Sequence, residues 1–344
     1  MKLLVTGGTG FLGLEVVRQL RERGDEVRVL ARSPAPPLEA LGVEQVIGDV
    51  VRDGDVGPPV GRTRRASAAL GSSLRGALEG MEALVHLAGF VSRDPDDGQR
   101  MMRLHVDGTR RVLEAAAAAG VRRAVIASTS GTIAVAREPE PLLDERAPYP
   151  LELVGGWPYY LSKIYEEKLA LQLGPQLGLE VVVVNPSLLL GPGDARTSST
   201  GDVRRLLDGK LPVIPNGGVG FVDVRDAAAA MLAALDRGKA GERYLVNAAN
   251  WTCADFFARL ARVAKVGGPR LSLPSSVQTR AAALWEGLHR AAGRRPALDR
   301  VSVEMGQLYW YCDAGKAQRE LGLTTRDPQE TLADTVRDVR ARML

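Results

Sequence analysis

Tyr159 and Lys163 are the two residues whose types and spacing point most directly to chemistry. They lie four positions apart in a segment predicted to be helical, Tyr159 to Leu173, so both side chains are expected on one helix face. A free tyrosine, with a pKa near ~10, is a poor base at neutral pH, and a nearby ammonium lowers that pKa by favouring the phenolate. The pair is therefore suited to donating or accepting a proton. Because the same spacing is common on helix surfaces, the assignment depends on the surrounding elements.

A glycine-rich turn near the start of the chain is the first of those elements. The apolar run Leu3 to Val5 leads into Thr-Gly-Gly-Thr-Gly-Phe-Leu-Gly, and residues 12–20 then have helical periodicity. Such a turn lets a pyrophosphate approach the backbone and meet the N–H groups at the helix start. The position of the motif between a strand and a helix predicts a dinucleotide-binding site. Its expected cofactor-binding residues are Thr6, Gly7, Gly10, Phe11, Leu12 and Gly13.

The second predicted strand, Val27 to Leu30, bears on which dinucleotide is bound. In sites for NAD, an acidic residue about 20 positions past the glycines holds the ribose 2′-hydroxyl. Arg32 stands at that place here, and a guanidinium would instead pair with the 2′-phosphate of NADP. The sequence therefore favours NADP over NAD. NAD stays open, as does an Arg32 that faces solvent or stacks on adenine.

Strands and helices alternate along the first half of the chain. Val-rich runs between helical segments indicate strands buried on both faces of a parallel sheet with right-handed crossovers. We predict an α/β fold, a Rossmann-type doubly wound parallel sheet with a smaller C-terminal substrate lobe. Residues 1–185 are expected to form the dinucleotide-binding domain. Residues 186–344 are expected to be mainly the substrate-binding lobe, with segments around 213–236 returning to the Rossmann core.

Composition limits the class of protein and of partner. The net charge is 45 − 41 = +4, which is too small to argue for binding to nucleic acid. The two cysteines and three histidines match no metal-ligand spacing, so no metal is expected. No signal peptide is recognised, and no stretch approaches the ~20 apolar residues that span a bilayer. We expect a cytoplasmic enzyme with a small-molecule substrate and no stable membrane insertion, and a homodimer is an open expectation.

Two basic segments have roles that the sequence leaves open. Residues 54–76 are rich in Gly, Pro, Arg and Ser, which indicates a basic binding loop or, as we favour, an insertion between a strand and a helix. Apolar residues from Val277 to Ala292 repeat at helical spacing among arginines. That pattern is typical of a basic helix at a membrane surface or, as we favour, of a lid helix that packs on the core.

Taken together, the motifs resemble the extended short-chain dehydrogenase/reductase family, which includes NAD-dependent epimerases and dehydratases. The resemblance covers nearly the whole chain and implies a doubly wound parallel sheet with a C-terminal substrate lobe. The matching segments are TGGTGFLG from Thr6, GDV from Gly48, HLAG from His86, HVDGT from His105, ASTSGT from Ala127, PYYLSK from Pro158, NPSLLLGPGD from Asn185 and FVDVRDAA from Phe221.

The resemblance also implies roles for individual residues. Tyr159 would be the acid/base, and Lys163 would also hold the nicotinamide ribose. Asp49 would contact the adenine. The residues that would line the rest of the cofactor are Val50, Leu87, Ala88, Gly89, Pro186 and Ser187. Pro186 and Ser187 would lie at its nicotinamide end.

The family uses a hydroxyl to orient the substrate carbonyl, and Ser128, Thr129 and Ser130 are consecutive candidates. Alignment with the usual pattern of the family favours Thr129 as the catalytic hydroxyl, with Ser130 second. The family usually has asparagine in a proton relay where this chain has His105. That histidine is either a titrating substitute or, as we favour, a satisfied residue at a helix start.

Several reactions compete within the family. The sequence looks most like dihydroflavonol-reductase-like proteins and the hopanoid-associated sugar epimerase group. Nucleotide-sugar enzymes usually carry an arginine just before the segment at Phe221, where this chain has Gly217-Gly218-Val219-Gly220 and offers no phosphate clamp. Arg225 is nearby, but structural pairing is its expected role.

We therefore predict an NAD(P)-dependent oxidoreductase that reduces a carbonyl, or oxidises the matching alcohol, of a small organic substrate. Two alternatives stay open: a sugar or nucleotide-sugar epimerase/dehydratase with tightly bound NAD, and a non-catalytic dinucleotide-binding sensor. The tyrosine-lysine pair argues against the sensor, because a protein that only binds the dinucleotide has no need of it.

Overall fold

The computed structural model describes residues 1–51, 74–211, 213–268 and 300–343. The predictions for most of the basic segment at 54–76, and for the apolar stripe from 277 to 292, lie outside the described residues. None of the helices in the described ranges combines the length and the apolar character that crossing a bilayer requires.

The strands in these ranges form two sheets. They are β1 (Lys2–Thr6), β2 (Glu26–Ala31), β3 (Glu44–Ile47), β4 (Ala83–His86), β5 (Arg123–Ala127), β6 (Glu180–Pro186), β7 (Leu188–Leu190), β8 (Gly218–Asp223), β9 (Arg243–Val246), β10 (Ala249–Thr252) and β11 (Tyr309–Trp310). The larger sheet has the order β3-β2-β1-β4-β5-β6-β9, and every neighbouring pair in it is parallel. In the smaller sheet β8 pairs with β7, β10 and β11.

Helices connect the strands. They are α1 (Phe11–Glu22), α2 (Pro36–Ala40), α3 (Leu74–Leu78), α4 (Gly98–Met102), α5 (Gly108–Ala118), α6 (Leu151–Val154), α7 (Pro158–Gln176), α8 (Gly201–Leu207), α9 (Val224–Arg237), α10 (Cys253–Ala264), α11 (Arg300–Met305), α12 (Gly315–Leu321) and α13 (Pro328–Ala341).

The large sheet is covered on both faces. Leu3 and Val5 of β1 point into a core formed with α1, α9 and α12. Leu4, the residue between them, points to the opposite face and into a second core formed with α3, α5 and α7. Successive side chains of a strand alternate between faces, so the two cores lie on opposite sides of the sheet. This architecture confirms the predicted Rossmann-type doubly wound α/β fold.

Residues after 185 contribute to both parts of the molecule. A third core joins β8, α8, α10 and α13, with Phe221, Phe256 and Leu332 among its buried side chains. In contrast, α9 packs along α1, and β9 adds a strand to the large sheet beside β6. The chain therefore leaves the large sheet after β6 and returns to it.

The helix α5 is extended at its amino end. A π-helical turn at Arg103–Asp107 joins α4 to α5, so the two run as one continuous helix. Gly120, with φ +82°, follows the last turn as expected for a residue that ends a helix. The π turn matters for the site because it holds His105, which is completely buried.

Candidate active site

The predicted site residues follow the strands of the large sheet at one edge. The glycine turn follows β1, Leu87 to Gly89 follow β4, and Ser128 to Ser130 follow β5. Pro186 is the last residue of β6. Since the carboxyl ends of parallel strands meet at the same edge, the structure brings these segments together at the place where α/β sheets bind ligands.

The glycine turn is too tightly packed for larger residues. Gly7 has φ +71°, and a Cβ there would lie 2.4 Å from the Leu87 backbone. A Cβ on Gly13 would lie 2.1 Å from the Gly7 carbonyl oxygen. Gly10, the N-cap of α1, gives the helix no side-chain cap, so its first N–H groups point out towards the sheet edge. This open, positively polarised helix start is suited to a pyrophosphate, and the turn therefore fits a dinucleotide.

The Thr6 side chain is directed between strands. Its hydroxyl contacts Nδ1 of His86 at 2.6 Å and accepts a hydrogen bond from the Ala88 N–H at 3.3 Å. Nε2 of His86 lies 2.9 Å from the Thr109 hydroxyl. Burial, with Lys163 nearby, lowers the pKa of His86 to about 3. The Thr6 hydroxyl thus joins the ends of β1 and β4, and the role of Thr6 in cofactor binding stays a prediction.

The residues predicted at the adenosine end occupy different environments. Arg32 is exposed just past the end of β2. Asp49 is partly exposed, and its carboxylate accepts a hydrogen bond from the Val51 N–H at 2.8 Å. Val50 is buried in the core next to Gly108. Arg32 and Asp49 are therefore accessible to a ligand, whereas Val50 is buried in the second core.

The helix α7 carries the tyrosine and the lysine. It begins with Pro158 at its first position, where the missing N–H costs no hydrogen bond. Lys163 is only 5% exposed, and its ammonium donates to the Ala127 carbonyl at 2.7 Å. It also forms an ion pair with Glu166, one helical turn further along. The lysine is thus held between the end of β5 and a carboxylate of its own helix.

Tyr159 is partly exposed beside these groups. The edges of two other rings meet it, since His105 lies 6.0 Å and Tyr160 5.1 Å away between ring centroids. Burial first, and then Tyr160 and Glu166, raise the pKa of Tyr159. The Lys163 ammonium, which is expected to lower this pKa, is directed to Glu166 and to the Ala127 carbonyl.

The three candidate hydroxyls at the end of β5 differ in exposure. Ser128 is 7% and Ser130 5% exposed, whereas Thr129 keeps an intermediate exposure. The Thr129 hydroxyl accepts a hydrogen bond from the Gly131 N–H at 3.3 Å and so caps a short 3₁₀ turn at Ser130–Thr132. The hydrogen of the Thr129 hydroxyl remains available for donation. The Ser128 hydroxyl is buried without a hydrogen-bond partner among the described residues, so the choice of Thr129 stays a prediction from the sequence.

His105 links three segments around Tyr159. The Phe90 N–H donates to Nε2 at 3.0 Å, and Nδ1 lies 2.8 Å from the Ser162 hydroxyl. That hydroxyl donates its own hydrogen to the Tyr159 carbonyl at 2.7 Å, so it accepts from Nδ1–H. The imidazole is therefore neutral with both nitrogens engaged, and burial lowers its pKa to about 2. This geometry favours the satisfied residue over the titrating substitute.

At the end of β6, Pro186 and Ser187 are buried. The Ser187 N–H donates to the Val246 carbonyl at 2.9 Å, while its hydroxyl has no hydrogen-bond partner among the described residues. A buried hydroxyl of this kind is usually satisfied, so a ligand at this edge would find it available. Arg225, in contrast, pairs with Asp223 and Asp334, both at 2.7 Å, as the sequence predicts.

The sequence analysis missed Glu166. This carboxylate is 1% exposed, pairs with Lys163 and accepts a hydrogen bond from the Thr109 hydroxyl at 3.1 Å. The spacing in the sequence could have indicated this pair, because a glutamate three positions after a lysine lies on the same helix face. Across the described ranges, no three side chains of the metal-binding types gather as ligands.

Comparisons with known proteins place the chain in a family and support its fold. A model of the NAD dependent epimerase/dehydratase family matches residues 3–247. Sterol demethylase protein B of Methylococcus capsulatus is 34% identical over an alignment of 350 positions that covers 99% of each chain. Cinnamoyl-CoA reductase 1 of Oryza sativa is 35% identical over 252 residues, 70% of this chain and 69% of the relative. The crystal structure of gox2253 superposes with a TM-score of 0.81, at 30% identity and 98% coverage of both chains.

Proposed function

Since the chain belongs to the NAD dependent epimerase/dehydratase family, we propose that it is an NADP-dependent reductase of a carbonyl in a small organic substrate. In the opposite direction it oxidises the matching alcohol. The proposal is supported by Lys163, whose ammonium donates to the carbonyl of Ala127 at the end of β5. Thr129 follows that strand by two residues, and Tyr159 precedes Lys163 by one turn of α7. The reductase among its relatives, at 35% identity, supports this reaction over others in the family.

Each residue has a defined task in this reaction. The nicotinamide, when bound, supplies the hydride that adds to the carbonyl carbon. Tyr159 donates its phenolic proton to the carbonyl oxygen, which becomes the hydroxyl of the product. Thr129 donates a hydrogen bond to the same oxygen and fixes its orientation. Lys163 lies one turn along α7 from Tyr159, and its proposed role is to hold the cofactor ribose.

The preference for NADP rests on Arg32. The residue is exposed beyond β2, and the next residues, Ser33 and Pro34, carry no carboxylate. An arginine can pair with the adenosine 2′-phosphate of NADP through two parallel hydrogen bonds. NAD has a hydroxyl in place of that phosphate and cannot form this pair. Asp49 lies at the end of the following strand, where the adenine is expected.

The segment before Phe221 argues against a nucleotide-sugar substrate. Gly217, Gly218 and Gly220 carry no side chain, and Val219 between them carries an apolar one that packs on the third core. Gly218 and Gly220 are packed against Tyr311 and the Trp310 carbonyl. The nearby Arg225 is engaged by two carboxylates, so a sugar diphosphate would have to displace them. A less charged carbonyl compound fits this part of the site better.

The test is a steady-state panel of ketones, flavonoids, hydroxysteroids and nucleotide sugars with NADPH and NADH. Tyr159→Phe is expected to lower turnover by at least ~100-fold and leave the Kd for NADPH unchanged. Tyr160→Phe, which changes the neighbouring ring, is the matched control and should keep activity. Turnover that survives in Tyr159→Phe contradicts the mechanism. Tightly retained NAD with sugar interconversion supports the epimerase instead, and tight NADPH binding without turnover supports the sensor.

A further inference from the structure

Lys163 and Glu166 form a buried ion pair next to the proposed proton donor. The lysine is 5% and the glutamate 1% exposed, and the two side chains are one turn apart on α7. A buried charge without a partner is costly, so each group compensates the other. The ammonium that is available to stabilise a phenolate is therefore partly neutralised by a carboxylate of its own helix.

A directed chain of hydrogen bonds orients that carboxylate. The Thr109 hydroxyl donates to Glu166 at 3.1 Å and so accepts from Nε2–H of His86, 2.9 Å away. Nδ1 of His86 must then accept from the Thr6 hydroxyl at 2.6 Å. The histidine is thereby neutral and adds no charge. The chain runs from the glycine turn to the lysine, and it fixes Glu166 in the position that faces Lys163.

The adjacent glutamate provides an internal contrast. Glu167 is also fully buried, but it accepts hydrogen bonds from Thr132 and Asn185 and pairs with Arg243 at 3.1 Å. It thus faces away from the lysine. Among the described residues, the titratable groups that surround the phenol and the ammonium are His86 on β4, His105 on the π turn, and Tyr160 and Glu166 on α7. Burial first, and also the charge of Glu167, raise the pKa of Glu166, and Lys163 acts in the opposite direction.

We propose that Glu166 is a positioning residue whose carboxylate offsets the charge of Lys163 and thereby keeps Tyr159 protonated, as a proton donor. This inference rests on the proposed function, in which Tyr159 donates a proton during reduction. A negative charge nearby disfavours the phenolate, which agrees with Glu166 being one of the causes that raise the pKa of Tyr159. The pair therefore suits the site to reduction over a wide pH range.

The direction in which removal of the carboxylate should shift the titration of Tyr159 follows from the charges. In Glu166→Gln the shape and the hydrogen bond from Thr109 are kept, and the charge of Lys163 is no longer offset. An uncompensated ammonium stabilises the phenolate, so Tyr159 should lose its proton at lower pH. In Glu166→Asp the charge remains but is withdrawn by one methylene, and the change should be smaller.

The experiment is a pH titration of the free protein labelled with [ζ-¹³C]tyrosine, followed by NMR, with the Tyr159 resonance assigned from Tyr159→Phe. We expect the titration midpoint in Glu166→Gln to fall by about one pH unit relative to wild type. Glu167→Gln, the matched loss of a buried carboxylate that faces Arg243, should leave the midpoint in place. Glu166→Asp should lie between wild type and Glu166→Gln.

An unchanged midpoint in Glu166→Gln, a higher midpoint, or a Tyr159 that stays protonated in both proteins overturns the inference. An equal fall in Glu167→Gln overturns it as well, because the effect would then be general to buried carboxylates. Neither substrate nor cofactor is needed, so the result is separate from the turnover panel that tests the proposed function. If Tyr159→Phe keeps full activity, the proposed role of Tyr159 in the reaction is wrong, even if the titration midpoint of Glu166→Gln falls as expected.

Discussion

Replacing Gly13 by alanine tests whether the glycine turn is the cofactor site. Gly13 lies in the first turn of α1, where a Cβ would be 2.1 Å from the Gly7 oxygen and 2.8 Å from the Gly7 carbonyl carbon. Ordinary van der Waals contact begins at 3.4 Å, so the overlap is 3.4 − 2.1 = 1.3 Å. Both neighbouring atoms belong to the backbone and cannot rotate away. The start of α1 must therefore move away from the turn.

The size of the effect follows from that movement. Overpacking of this kind costs about 1–3 kcal/mol. With an unfolding entropy of about 2.1 cal/mol/K per residue over 344 residues, a loss of ~3 kcal/mol lowers the Tm by about 4 °C. The displaced N–H groups are those expected to contact the pyrophosphate. Each ~1.4 kcal/mol lost from that contact weakens binding tenfold, so we expect the Kd for NADPH to rise by at least ~10-fold.

Calorimetric titration with NADPH and thermal unfolding followed by circular dichroism measure the two effects separately. Gly201→Ala is the control, because a Cβ at the first residue of α8 meets nothing within 4 Å. That variant should keep both the Kd and the Tm. If Gly13→Ala is destabilised yet binds NADPH as tightly as wild type, the turn is a packing feature and the dinucleotide binds elsewhere. If the Tm is also unchanged, the packing argument itself is wrong.

Two further predictions concern selectivity and acid stability. Arg32→Ala should reduce the preference for NADPH over NADH, measured as the ratio of dissociation constants, by at least ~10-fold. Arg122→Ala is the control, because Arg122 is exposed just before β5 and therefore lies at the opposite edge of the sheet. An unchanged ratio in Arg32→Ala removes Arg32 from the site. Burial lowers the pKa of His86 to about 3 and that of His105 to about 2, against ~6.5 for a histidine in the unfolded chain. Below pH ~6.5 the unfolded state therefore binds more protons than the folded state. The free energy of unfolding then falls by up to ~1.4 kcal/mol for each histidine and each pH unit of acidification. Unfolding temperatures from pH 7 to pH 5 should therefore decline less steeply in His105→Gln, and an identical slope would contradict the burial of a neutral imidazole there.

Much of the fold is local in origin and could be predicted from the sequence. The run from Leu3 to Val5, the glycine turn and the periodic helix after it are consecutive, so one stretch of chain specifies the first βα unit. The pairing of Tyr159 with Lys163 on one helix face follows in the same way from their spacing. The short strand β9 was not predicted, because four residues from Arg243 to Val246 carry no periodic signal that distinguishes a strand from a loop.

The charges of the site depend on contacts between distant segments and could not be predicted. His105 stands where the family usually has asparagine, and its neutral state is decided by Ser162, 57 positions away, and by the Phe90 N–H. The direction of the Lys163 ammonium is decided by Glu166, whose own orientation depends on Thr109, also 57 positions away. A sequence pattern gives the identity of such groups, but the tertiary fold sets which of them meet.

The return of the chain to the large sheet has a consequence for dissection of the molecule. A fragment that stops at residue 185 would lack β9 and leave the backbone of Val183 to Asn185 unpaired on one side. It would also lack α9, which shields the apolar face of α1. An open strand edge next to bare apolar surface promotes association between copies. We therefore expect a fragment of residues 1–185 to aggregate when it is expressed alone, and the later residues that return to the large sheet to be needed for its solubility.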